Sequence, residues 1–317
     1  MALDHQAIDL VVYGTEAPRG LLESIDLAEA AGLGGAWVGD SPVLWRELYV
    51  LLGAAAERTG RIRLGPAVTN PVSRHPSVTA SALMTLQELS GGRAALGLGL
   101  GASAVRTVGA EPARLAVLER TVAEVRRYWA GGEGGLGYGR GQQPIPLLLG
   151  ASGPRMLELA GRIGDGCLAV VGLHPRQLEA ARGRLRSGGQ PEGFEVVWWV
   201  PIAVADDPAQ AREDVKAYVA RSLHHPSPAE LTPVEQAAAE QIRASYDYGR
   251  HLAPGASQAA LVPDEIVAGW AVAGTPADCR EQLARLELGE GERIGLVPMS
   301  REPKPAQMRR LLEEVLL

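Results

Sequence analysis

Lysine is nearly missing from this chain: of 31 basic residues only Lys216 and Lys304 are lysine. Neither lies at the C-terminal end of a segment that reads as a strand, which argues against Schiff-base chemistry, since that needs a buried reactive lysine. Cysteine is as scarce. Cys167 and Cys279 stand far apart, in no metal-binding or redox spacing, and suit a reducing cytoplasm. No apolar run approaches the ~18 residues of a membrane span. The opening residues lack the basic and then apolar regions of a secretory leader. A net charge of −6 argues against a nucleic-acid surface. The sequence contains no HExxH, no GxSxG and no His-x-His. The expectation is a soluble cytoplasmic protein with no metal centre and neither nucleic acid nor membrane as partner.

What is present is an alternation. Apolar segments at Ile8–Tyr13, Ala36–Gly39, from Arg61, Ala94–Leu100, Ile145–Leu149, Cys167–Val171, Val196–Val204 and Ile294–Val297 read as eight strands. Helical spacing separates them, as in Pro18–Ala31, Trp45–Glu57, Pro76–Leu89 and Pro112–Trp129, with Gly32 and Gly91-Gly92 as stops. Strands alternating with helices predict a parallel sheet covered by helices. The count of eight favours a (β/α)8 TIM barrel over an open doubly wound sheet. One stretch breaks the rhythm. Residues 226–270 hold a capping box, Thr232 to Glu235, and the breaker Pro254-Gly255. They read as a helical insertion after strand seven in one domain spanning 1–317.

In such a barrel the site is built just after each strand. Those exits are Tyr13-Gly14, Asp40-Ser41, Thr69-Asn70, Gly101-Ala102-Ser103, Gly150-Ala151-Ser152-Gly153, Gly172-Leu173-His174, Ala205-Asp206 and Pro298-Met299-Ser300. Few strong acids or bases converge there. A mouth of glycines, small residues and backbone amides implies that a cofactor fills it and carries the chemistry. The fourth strand, AALGLGLG, puts Gly97, Gly99 and Gly101 on one face, which marks close approach of a ligand or of backbone. It is not a dinucleotide fingerprint, because Ala104 stands three residues after Gly101. Gly150 to Arg155 joins a strand to a helix start, where free amides and the helix dipole favour phosphate.

The third strand carries the strongest single signal. In RIRLGPAVTNPVSRHP, Pro66 cannot donate to a ladder, yet a closed barrel has no edge to hold it. The backbone around Pro66-Ala67-Val68 must leave regular pairing. Asn70 before Pro71 is held extended, and Pro76 suits a helix start. The run GPAVTNPVSRHP resembles the third strand of the luciferase-like flavin and deazaflavin oxidoreductases. It is most similar to the branch that contains methylenetetrahydromethanopterin reductase. The segment LLLGASGPRMLELAGRIGDG looks like that family's phosphate-binding strand-turn-helix.

The resemblance implies coenzyme F420, with FMN as the alternative. It implies a non-proline cis peptide at Ala67-Val68 behind the ring, with Thr69 and Asn70 at the exit. Gly99, Gly101 and Ala102 would lie beside the ring, and Asp40 at its polar edge. Gly150, Ala151, Ser152 and Gly153 would hold the phosphate. Gly172 and Thr275, the latter in a GTP turn, would sit near the cofactor. The chain departs from the pattern twice: Ser41 stands where a His is common, and Ala102-Ser103 where many members have Asp. The reductases' first-strand Glu is also absent, leaving Asp9 and Tyr13. Tyr13, Asn70, His75 and His174 remain as groups that could protonate or polarise a substrate. An imine, an enone or a dehydroamino acid would suit hydride delivery. A two-component monooxygenase using reduced FMN, and a catalytically silent flavin-binding barrel, stay open beside the F420 reading. Barrels of this kind pair through helices, and Trp45–Glu57 and Pro76–Leu89 offer faces for a homodimer.

Overall fold

The computed structural model describes residues 4–317. Nine strands run through it: β1 Ile8–Val12, β2 Gly35–Val38, β3 Arg63–Pro66, β4 Leu96–Leu98, β5 Leu147–Ala151, β6 Gly166–Ala169, β7 Glu195–Val204, β8 Val272–Gly274 and β9 Glu292–Pro298. All pairings are parallel, in the order β3-β2-β1-β9-β7-β6-β5-β4. The two ends of that order meet. Leu64 bridges Ala94 and Thr69 bridges Leu98, so the sheet closes on itself. The architecture is a (β/α)8 barrel. The eight expected strands are all there. The ninth, β8, was not expected: three residues pair with the last residues of β7, outside the ring.

The seam between β3 and β4 is where regular pairing fails. Ala67 N–H still donates to Val38 on β2 at 2.7 Å. The peptide bond from Ala67 to Val68 is cis, and the ladder to β4 resumes only at Thr69, whose N–H donates to Gly97 at 3.0 Å. A Cβ on Gly97 would lie 2.1 Å from the Pro66 carbonyl oxygen. A glycine is therefore required here to let the distorted strand pass.

Side chains alternate across each strand. One face packs under the surrounding helices, where Leu10, Ala36, Leu64 and Leu96 meet Ile25, Leu52, Leu83 and Val122. The other face fills the barrel. Trp37, Leu148, Leu168, Val197 and Trp199 are buried there. Trp198 and Trp199 point to opposite faces, as adjacent strand residues must.

The N-terminal end of the barrel is closed by charge. Asp9 of β1 is fully buried and accepts from Trp37 Nε1 at 2.8 Å. It pairs with Arg293 of β9 and lies 3.5 Å from Arg63 of β3. Glu195 of β7 takes up the remaining fork of Arg63 at 2.6 Å and reaches Arg293 at 3.2 Å. Four strands are thus cross-linked by two acids and two guanidiniums, each charge matched.

Helix boundaries follow their caps. The helix expected from Trp45 starts at Leu48, because Glu47 accepts from the Val50 N–H and caps it. Thr232 and Thr275 each form full capping boxes, with Glu235 and Asp278. Residues 226–270 contain the helix Pro233–Ser245 and short turns at Tyr248–Arg250, Ser257–Leu261 and Asp264–Val267. Among the described residues no helix is long and apolar enough to cross a membrane.

Removing one acid from the floor leaves two half-buried guanidiniums short of a partner. Asp9→Ala should cost about 3–5 kcal/mol of stability, the usual loss when one member of a buried ion pair is deleted. Urea denaturation of the variant against the parent measures it.

Candidate active site

The C-terminal ends of the strands surround a cavity of about 560 Å³. Tyr13 enters it from β1, Asp40 from β2, Ala67 and Val68 from β3, Gly99 to Ser103 from β4, and Gly150 to Arg155 from β5. The floor of the mouth is set by one side chain. A Cβ on Gly99 would lie 2.7 Å from Val68 Cγ2, and one on Gly150 would lie 2.9 Å from Val68 Cγ1. Val68 therefore projects into a gap that two glycines on neighbouring strands leave for it. Gly101 adopts φ +79° and backs onto Asn70, whose Cβ would be 3.1 Å from an added methyl.

The oxygens of the polar groups behind this floor are held by their neighbours. Asp40 is buried and accepts from Thr69 Oγ1 at 2.9 Å and from Arg74 Nη1 at 2.8 Å. Burial pushes its carboxyl above the usual range, and the Arg74 charge pulls the other way. Asn70 Oδ1 accepts from the N–H groups of Val72 and Ser73 at 3.0 and 2.9 Å, fixing the turn that leads to the next helix. Its Nδ2 is buried without a partner. Ser41 and Ser103 hydrogen-bond each other at 2.6 Å across the strand exits.

On the β5 side the helix Pro154–Ile163 begins with Gly153 and no side chain caps it. Ser152 is not its cap. Pro154 has no N–H and the Met156 N–H already donates to the Gly153 carbonyl at 3.1 Å, so the Arg155 amide is the one this helix start leaves without a partner among the described residues, and the Arg155 side chain lies on the same wall.

The structure brings together Tyr13, Asp40, Ala67, Val68, Gly99, Gly101, Ala102 and Gly150 through Gly153, all on the cavity wall. Thr69 and Asn70 lie one layer behind it. It does not bring in His75, His174, Gly172 or Thr275. Both histidines are exposed N-caps, His75 accepting from the Ser77 N–H at 3.2 Å and His174 from the Arg176 N–H at 3.4 Å. Gly172 packs against Gly269 and Trp270, and Thr275 is spent on its capping box.

The other histidines are in the site, and the sequence reading missed them. Arg221, His224 and His225 come from the end of the helix Pro208–His224, and Tyr248 and His251 from the insertion. His224 Nε2 meets Tyr248 Oη at 2.7 Å, and His251 Nδ1 meets Tyr246 Oη at 2.7 Å. Tyr246 stacks on His224 with centroids 4.3 Å apart. Trp45 joins Tyr13 at 4.6 Å and His251 at 5.9 Å. Burial first, then the Arg221 charge, pushes His251 down to about 3 and His225 well below the ordinary value. Both are neutral at pH 7. Tyr13 is raised well above the ordinary phenol by burial, with Tyr218 beside it, and keeps its proton. The signal available in the sequence was three of six histidines falling between 224 and 251. Among the described residues no group of His, Cys, Asp and Glu could hold a metal.

A model of the family described as luciferase-like monooxygenase matches residues 1–290. The chain belongs to that family. Among curated members it is 31% identical over 280 residues to 5,10-methylenetetrahydromethanopterin reductase of Methanolobus tindarius, covering 82% of this chain and 84% of that one. It is 32% identical over 237 residues to the F420-dependent glucose-6-phosphate dehydrogenase of Kineococcus radiotolerans, covering 65% and 70%. Among solved structures the coenzyme F420-dependent tetrahydromethanopterin reductase of Methanopyrus kandleri superposes with a TM-score of 0.76 at 23% identity, over 98% of each chain. An F420-dependent secondary alcohol dehydrogenase superposes at 0.78 and 18%, over 97% of each. At those identities the two structures speak for the fold.

Two measurements follow. Gly99→Ala forces Val68 aside and should cost about 1–3 kcal/mol, as overpacking does. Val68→Ala in the same chain should restore most of the loss, read as a double-mutant cycle in urea. For His251, the unfolded chain takes up a proton near pH 6.5 while the folded chain does so only near pH 3. The unfolded state binds more protons in that window, so stability is full above pH 6.5 and falls as the pH drops towards 3. His251→Gln should flatten that fall, measured as urea midpoints at pH 7, 6, 5 and 4.

Proposed function

We propose that this protein is a coenzyme F420-dependent oxidoreductase that moves a hydride between the deazaflavin and a small organic substrate. The observation that carries the reading is Val68 standing between Gly99 and Gly150 at the base of a cavity whose adjoining wall is an uncapped helix start. A planar ring and a phosphate on one tether need such a ridge and such a helix end. The relatives named as F420-dependent support the choice of cofactor.

On this reading Val68 supports one face of the ring, and the bare backbone at Gly99, Gly101 and Gly150 lets it lie close. Ala67 and Ala102 complete the rim with small side chains. Thr69 and Arg74 orient Asp40 towards the ring's polar edge. Ala151, Ser152 and Gly153 present the helix N-terminus to the phosphate, with Arg155 adding charge. When bound, F420 supplies a hydride donor or acceptor at C5 of its deazaflavin. Trp45, Trp199 and the residues of 226–270 screen the reacting face from water. Tyr13, held protonated, and the His224–Tyr248 pair can each hold a proton for the substrate; they take the place first given to His75 and His174. Val50 and Val78, 72% and 54% exposed, lie on the two helices that would form a homodimer face.

Titration of the purified protein with F420 and with FMN tests the reading. F420 should bind at least tenfold tighter, a difference of about 1.4 kcal/mol. Turnover should not require oxygen. Tighter binding of FMN together with oxygen-dependent turnover would instead establish the monooxygenase reading.

A further inference from the structure

The cavity contains a cation with nothing to neutralise it. Arg221 lines the mouth and makes no ion pair or hydrogen bond among the described residues, and its Nη1 is buried without a partner. Its guanidinium lies 5.6 Å from the Tyr218 ring centroid, an aromatic shelf that holds but does not neutralise it. Most arginines of this chain that are comparably enclosed have a carboxylate: Arg63 has Glu195, Arg74 has Asp40, Arg182 has Glu292. Arg93, which lacks one, spends its fork on backbone carbonyls and Thr59. Arg221 has neither. Among the described residues the acid on the cavity wall is Asp40, and it is committed to Arg74 and Thr69. An enclosed guanidinium left without a counter-charge is costly, and a site that keeps one is built for an anion that arrives later.

We propose that Arg221 anchors a carboxylate on the substrate, so that the enzyme acts on a small organic acid. The identity of the anion follows from the count of charges. Arg155 stands with the helix start at the β5 exit, where the phosphate of the cofactor is assigned. Arg106 stacks over Tyr248 and is paired with Glu111 at 3.2 Å. Around Arg221 the remaining groups, Tyr13, His224, His225 and His251, are neutral donors. A single planar fork beside neutral donors matches a carboxylate, which takes two parallel hydrogen bonds and one charge. A phosphoryl dianion would call for a second unpaired guanidinium beside it, and Arg106 on this wall is held by Glu111. His224 Nδ1, also buried and unpartnered, supplies a further polar contact on the same helix end.

The proposal rests on the oxidoreductase reading for its chemistry, but not for its binding. Calorimetry with benzoate, benzamide and phenyl phosphate on the F420-loaded protein tests it, repeated without F420. Benzoate should bind, and benzamide should bind roughly tenfold more weakly, the usual scale for losing a charge-assisted pair. Arg221→Gln should remove that preference with F420 affinity unchanged, and Arg221→Lys should keep part of it. Equal binding of benzoate and benzamide, no benzoate binding, or an unaffected Arg221→Gln would overturn the proposal. So would a loss of F420 affinity in that variant, which would give Arg221 to the cofactor. Tighter binding of phenyl phosphate through Arg221 would replace the carboxylate by a phosphoryl group. If Arg221→Gln does not fold, the benzoate–benzamide comparison and Arg221→Lys decide. If F420 fails to bind at all, the unloaded arm still reads Arg221 by itself.

Discussion

Everything at the mouth of this barrel depends on where the Val68 side chain goes. It leaves β3 at the one place where the ladder is broken and occupies space that β4 and β5 give up by having no Cβ at Gly99 and Gly150. Three strand exits are fixed by that one contact. The break also explains why Gly97 is needed below it, since the Pro66 carbonyl fills its side-chain position. Val, a stiff β-branched residue, holds such a ridge in place better than a flexible side chain would.

The second organising feature is the separation of charge. Acids and arginines are paired at the floor, while the upper wall keeps its arginines and neutralises its histidines by burial. The groups above the ridge therefore act as donors without carrying charge, except where a guanidinium is placed. Asp40 is the exception on the acid side, and it is tied down by Thr69 and Arg74. The serine pair Ser41–Ser103 closes the gap between the second and fourth exits.

Much of this could be read from the residues. The eight ring strands follow from apolar runs bounded by glycine and proline, and the disturbed third strand from Pro66 in a barrel that has no edge. β8 escaped because three residues, Val272 to Gly274, are too short for any period to show. His75 and His174 were misplaced for a shared reason. Each precedes a proline that opens a helix, so its backbone is extended and its ring nitrogen turns back to the second amide of that helix. The insertion was recognised as a change of rhythm. What it delivers was not, because His224, His251 and Tyr248 converge only when one helix end and a later turn fold over the same opening. No local spacing encodes that meeting.

The charged floor bears on how molecules come and go. Asp9, Glu195, Arg63 and Arg293 pair across one end and Trp37 and Trp199 fill the middle, so the described residues leave the opposite mouth as the way in. Whatever lies against Val68 at the base has to pass through it before anything held above the ridge. On the proposed reading this imposes a compulsory sequence, cofactor in first and out last, and a product that lingers beneath residues 226–270 would trap the spent cofactor behind it.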